Sequence, residues 1–164
     1  MYKRVLLAYD GSLEGRGALR EGALLAQCLG AEIFLLAVVN EGPGFHLAAA
    51  AGGVVDVQSR YKELFEEAVA RLTELGFQSN ARLVAGEPVE QIAAYAREIG
   101  ADLVVVGHRR QGIFARWWSG SSGAYLSDHL GCSLLIGRAE ISTETFQHEI
   151  KRFAKVTTDE AANS

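Results

Sequence analysis

The residues best suited to chemistry lie between Leu103 and Ser121. An apolar, β-branched run ends at Gly107, and a polar loop with Arg109, Arg110 and Arg116 follows. Gly120, Ser121 and Ser122 then open a predicted helix. A strand, a glycine turn, a basic loop and a helix N-terminus are the parts of an anion site. Unpaired backbone N–H groups and the helix dipole attract a phosphate, and glycine lets the main chain approach it closely. The implied chemistry is binding of a phosphate-bearing ligand.

Other chemistries lack their residues. Ser12, Ser119, Ser121 and Ser122 do not sit in a G-x-S-x-G elbow. No Walker A lysine motif occurs. The 20 acidic residues contain no pair that spacing marks as a catalytic dyad. His46, His129 and His148 are scattered without metal-ligand spacing, and His108 reads as a loop residue. The expectation is therefore no catalytic residue and no side-chain metal site. Efficient ATP hydrolysis is not expected, while slow hydrolysis stays open as an alternative.

These residues need a scaffold, and the chain supplies strands and helices in alternation. Residues 3–9 read as a buried strand stopped by Asp10, Gly11 and Ser12, with Ser12 as the N-cap of a helix. That helix runs to about Leu29, with Leu19, Ala23 and Ala26 on one face. Gly15, Gly17 and Gly22 weaken it by up to about 1 kcal/mol each, and Gly30 stops it. A second strand spans 31–39, and 40–53 is a Gly/Ala-rich loop.

A long helix over 54–75 has Val54, Val57, Tyr61, Leu64, Ala68, Leu72 and Leu75 at steps of three and four, and Gly76 ends it. A strand over 77–84 precedes Gly86, Glu87 and Pro88, which start a helix facing the core with Val89, Ile92, Ala93, Ala96 and Ile99. Gly100 closes that helix. Strands over 101–106 and 133–136 flank a helix from about 120 to 130.

Strands without polar alternation, separated by helices, imply an α/β fold: a parallel sheet covered on both faces. Ligands in such sheets bind at the carboxyl ends of strands, where the strand order reverses. Asp10 and Gly107 both follow carboxyl ends. Asp10 has two readings, as a helix cap and as a ligand contact.

Size and composition fit one domain. The chain has 164 residues, 49% of them hydrophobic and 22% charged, with a net charge of −4. The acidic balance argues against a general nucleic-acid surface. No apolar run approaches the ~20 residues needed to span a bilayer, and the N-terminus does not read as a signal peptide. A cytoplasmic protein is expected. Cys28 and Cys132 read as two buried, reduced thiols. Trp117 and Trp118 read as one core residue and one subunit contact. The domain spans 1–138. In the polar tail, 139–164, Phe146, Ile150 and Phe153 support one short amphipathic helix, with the last ten residues disordered.

Three stretches resemble a known family. Residues 2–12, the Gly86–Glu87–Pro88 turn with the residues to Ile92, and residues 101–109 resemble the first strand, third helix start and fourth strand of a single-domain universal stress protein. The nucleotide-binding branch of that family has glycine, two residues, glycine, nine residues, glycine, then serine or threonine. Gly107, Gly120 and Ser121 fit this register. Arg110 stands at the second glycine, and Gly112 is off register.

The resemblance implies a five-stranded parallel sheet in the order 3-2-1-4-5, Rossmann-like, with helices on both faces. It implies a homodimer formed through the fifth strand. It also implies ATP or AMP as ligand, with Mg²⁺ or Mn²⁺ held mainly by phosphate oxygens. Asp10 would then contact ribose or adenine, and Ala8, Tyr9 and Val38 would wall or hydrogen-bond the base. Gly107 would admit the ribose and phosphates. Gly120, Ser121 and Ser122 would bind phosphate, with Arg109 and Arg110 beside them.

Arg110 has two readings at this point. Its guanidinium pairs with phosphate, or its Cβ reshapes a loop that needs glycine and blocks the triphosphate. In the second case the protein is a dimeric interaction module without nucleotide.

Overall fold

The computed structural model describes residues 1–9, 13–39, 54–74, 76–107, 126–137 and 141–162. Among them the elements run β1 (Arg4–Tyr9), α1 (Leu13–Leu29), β2 (Glu32–Val39), α2 (Val54–Glu74) and β3 (Ser79–Ala85). They continue as α3 (Pro88–Ile99), β4 (Leu103–Gly107), α4 (Leu126–His129), β5 (Ser133–Gly137) and α5 (Thr143–Ala162). The sheet has five strands in the order β3-β2-β1-β4-β5, and every adjacent pair is parallel. This is the expected 3-2-1-4-5 order.

The apolar runs form central strands because both their faces are covered. Val5, Leu7 and Tyr9 of β1 point into a core shared with α1, α2 and Phe146 of α5. Leu6 and Ala8 point into a second core built with α3 and with Leu126 of α4. Val5, Leu6 and Leu7 are fully buried.

Helix α3 shows how local sequence sets a boundary. The Glu87 side chain accepts from the N–H groups of Val89 and Glu90, at 2.8 and 3.2 Å, and Pro88 fills the first turn. The helix ends at Gly100, whose left-handed φ of 61° suits a residue without Cβ.

One glycine has a different role from the one its sequence context suggests. In sequence, Gly22 only weakens α1. In the fold, a Cβ there would lie 2.5 Å from Leu7 Cδ2 and 3.1 Å from Val105 Cγ1. Gly22 therefore lets α1 lie close against β1 and β4, a packing gain that opposes its poor helix propensity.

Several expectations need correction. Cys28 is exposed and Cys132 half-buried, and both are free. Cys28 sits in the last turn of α1, past Ala26, where the helix has turned away from the sheet. On α2 the expected Ala68 and Leu72 do pack on the core, and Phe65 and Val69 join them there. The tail helix is not short. It runs 20 residues, from Thr143 to Ala162, so most of the stretch expected to be disordered is helical. Its start is capped by Ser142, whose Oγ accepts the Thr145 N–H at 3.1 Å, and good helix formers carry it on. The 40–53 loop, the Ser12 cap, the start of the 120–130 helix and the two tryptophans lie outside the described residues.

Candidate functional site

Strand β1 is the pivot of the sheet. Its connection to β2 leads one way and β4 lies on the other side, so the β1/β4 boundary is the topological switch point. Open α/β sheets bind ligands at the carboxyl side of that boundary. The register opposes Ala8 to Val106 across the boundary and Ala8 to Leu36 on the other side. Gly107 is the next residue of β4 and opposes Gly137 of β5. Val38 lies near the end of β2, opposite Val84.

The pleat then sorts these residues by face. Ala8 and Val38 both belong to the core shared with α3, and each is 5% exposed. Tyr9 points to the opposite face, toward α1. There it faces Arg16, and its influence, ahead of the charge of Glu67, holds the guanidinium above its ordinary pKa. Tyr9 thus offers the switch point its main chain, not its ring. Asp10, Arg109, Arg110, Gly120, Ser121 and Ser122 lie outside the described residues.

A residue given no role in the sequence reading, within the stretch that resembles the family's fourth strand, aligns the strands beneath this site. The Asp102 carboxylate accepts the N–H groups of Lys3 and Arg4, at 2.7 and 2.9 Å. The Asp102 N–H donates to the Arg4 carbonyl at 3.0 Å, and its carbonyl accepts from Ser133 at 3.1 Å. Asp102 therefore ties together the amino ends of β1, β4 and β5. Those bonds, Lys3's first, hold its carboxyl below the usual aspartate pKa. The one signal in the sequence is an Asp directly before an apolar strand, at a position where a side chain can cap free N–H groups.

The other marked electrostatic feature is remote from the switch point. Arg82 of β3 forks onto Glu98 at 2.6 and 2.7 Å and lies 4.2 Å over the Tyr95 ring. Arg82 lowers the Glu98 pKa, Glu98 raises that of Arg82, and burial raises that of Tyr95. This cluster braces α3 on the edge strand. Among the described residues no group of His, Cys, Asp or Glu could hold a metal ion. Among them, too, no helix is long and apolar enough to cross a membrane.

Comparison with known proteins agrees with this geometry. The model of the universal stress protein family matches residues 1–138. A universal stress protein of Bacillus subtilis is 28% identical over 150 residues, 84% of this chain and 100% of that relative. A solved member of the family from Burkholderia pseudomallei is also 28% identical, with a TM-score of 0.61 over 84% of this chain and 97% of its own.

Two further structures share the fold and were solved with ligands. A universal stress protein in complex with cAMP is 23% identical, with a TM-score of 0.58 over 82% of this chain and 95% of its own. A family protein from Arabidopsis thaliana with AMP bound is 17% identical, with a TM-score of 0.57 over 87% and 97%.

Proposed function

This chain belongs to the universal stress protein family, and on that footing we propose that it binds an adenine nucleotide, ATP or AMP. It acts as a sensor or regulator in the stress response, its state set by nucleotide occupancy. One observation carries the reading: the parallel register brings Ala8, Val38 and Gly107 to the carboxyl ends of adjoining strands at the switch point. Structural neighbours solved with cAMP and with AMP support the choice of adenine.

In this reading Ala8, Val38 and the main chain of Tyr9 wall the base, and Asp10 takes the ribose or adenine. Gly107 admits the ribose and phosphates. Gly120, Ser121 and Ser122 offer N–H and hydroxyl donors to phosphate, and Arg109 and Arg110 supply charge. Any Mg²⁺ or Mn²⁺ is held by phosphate oxygens. The protein works in the cytoplasm as a homodimer joined through β5, an edge strand whose Leu134, Leu135 and Ile136 are only half-buried.

A second reading rests on Arg110, which occupies a glycine position of the nucleotide-binding pattern. In that reading the site is lost and the dimer is an interaction module. Purification followed by denaturation and chromatography separates the two. Released AMP or ATP, with a higher melting temperature in millimolar ATP, supports the nucleotide reading. An empty protein that ATP does not stabilise supports the interaction module.

A further inference from the structure

The face of the sheet that carries α1 holds a cavity of about 340 Å³, bounded by α1, α2 and the first turn of α5. Its floor is apolar, with Leu19, Leu72 and Phe146 each less than a tenth exposed. Its rim carries three guanidinium groups, and they are not equally neutralised. Arg16 meets Glu67 at 3.2 Å and Arg71 meets Glu74 at 3.3 Å. Arg20 is half-buried and has only neutral partners among the described residues. It donates to the Ile141 carbonyl at 2.5 Å and to Thr143 Oγ1 at 2.8 Å, and lies 6.0 Å from the Phe146 ring centre.

We propose that this cavity, which lies on the face of the sheet opposite Ala8 and is lined in part by Tyr9, is a second ligand site, for a small organic anion with an apolar body. The body lies on Leu19, Leu72 and Phe146, and its acid group meets Arg20. A cavity of this size is within the usual range for small-molecule sites, which combine an apolar lining with a few polar anchors. An apolar floor alone would accept a neutral molecule equally well. Among the described residues no carboxylate pairs with this guanidinium, and a half-buried charge without such a partner favours a ligand that brings one, hence the preference for an anion. Ile141, Thr143 and Phe146 of the site lie beyond residue 138, where the match to the family model ends. Ligand binding there clamps α5 onto α1.

The test is a titration of the full-length, ¹⁵N-labelled protein with 3-phenylpropionate and, separately, with its neutral amide, followed by amide shifts. The expected result is saturable shifts at Leu19, Leu72 and Phe146, with the acid binding at least about five-fold more tightly than the amide. Arg20→Gln should reduce the acid to the level of the amide, and Arg20→Lys should keep the preference. Ala68→Phe, which fills the cavity and leaves Arg20 and α5 in place, should remove binding of both. Absence of saturable shifts, equal binding of acid and amide, or undiminished acid binding in Arg20→Gln or Ala68→Phe would overturn the proposal. ATP added to the same sample reads the nucleotide site at Ala8 and Gly107, so either proposal can fail alone.

Discussion

The Asp102 carboxylate accepts the main-chain N–H of Lys3 at 2.7 Å, across the amino ends of β4 and β1. The same carboxylate takes the Arg4 N–H, so one side chain fixes the register that sets Tyr9 and Gly107 at neighbouring strand ends. Because these bonds lower its pKa in the folded state, the stability it adds is full above the unfolded aspartate value of about 3.9. That stability is lost as pH falls through the lower folded value. We predict that the urea midpoint of Asp102→Ala lies below that of the unmodified protein from pH 7 to pH 5. The gap should narrow below about pH 4. A gap that stays constant into acid, or no gap at neutral pH, would contradict this role.

Gly137 closes β5 beneath α1. A Cβ there would lie 2.8 Å from both Cα and Cβ of Ala18, and backbone atoms cannot swing aside. Gly137→Ala should therefore destabilise the fold by about 1–3 kcal/mol in urea unfolding, the usual cost of overpacking. A Cβ added at Gly131 would meet no atom within 4 Å, and the backbone there has no left-handed φ. Gly131→Ala should stay within about 0.5 kcal/mol. Equal effects at the two positions would refute the close-packing account.

Arg110 decides how the nucleotide reading survives the loss of a motif glycine. If its guanidinium pairs with phosphate, Arg110→Gln should weaken ATP binding by about ten-fold to about a hundred-fold, the worth of a charge-assisted hydrogen bond of about 1.5–3 kcal/mol. AMP, with fewer phosphate oxygens, should lose less. Calorimetric titration of both ligands gives the answer. Tighter ATP binding by Arg110→Gly would instead identify the arginine as an obstruction, and unchanged affinity would place it outside the site.

Much of the architecture is legible from the sequence, because the chain punctuates itself. Gly30, Gly76 and Gly100 each follow a helix and adopt positive φ, and unbroken apolar runs between such stops admit only covered parallel strands. What the sequence leaves hidden depends on contacts between distant residues. Asp102 reads as an ordinary strand-entry residue until Lys3 and Arg4 are brought to it from 99 and 98 positions away. Gly22 reads as a helix defect until Leu7 and Val105 press on it. Tyr9 reads as a base contact beside Ala8, and only the pleat turns its ring to Arg16 on the other face. The α1/α2/α5 cavity has no motif, since Leu19, Leu72 and Phe146 are each unremarkable apolar residues in their own segments.

The central claim is that the switch point beside Ala8 and Gly107 holds an adenine nucleotide. Calorimetric titration of ATP into the purified, nucleotide-free protein tests it most directly, with Asp10→Ala alongside. The account predicts saturable binding of one ATP per chain, weakened at least about ten-fold by Asp10→Ala, the loss of one hydrogen bond to a charged group. No saturable binding at millimolar ATP, or binding that Asp10→Ala leaves unchanged, would contradict it.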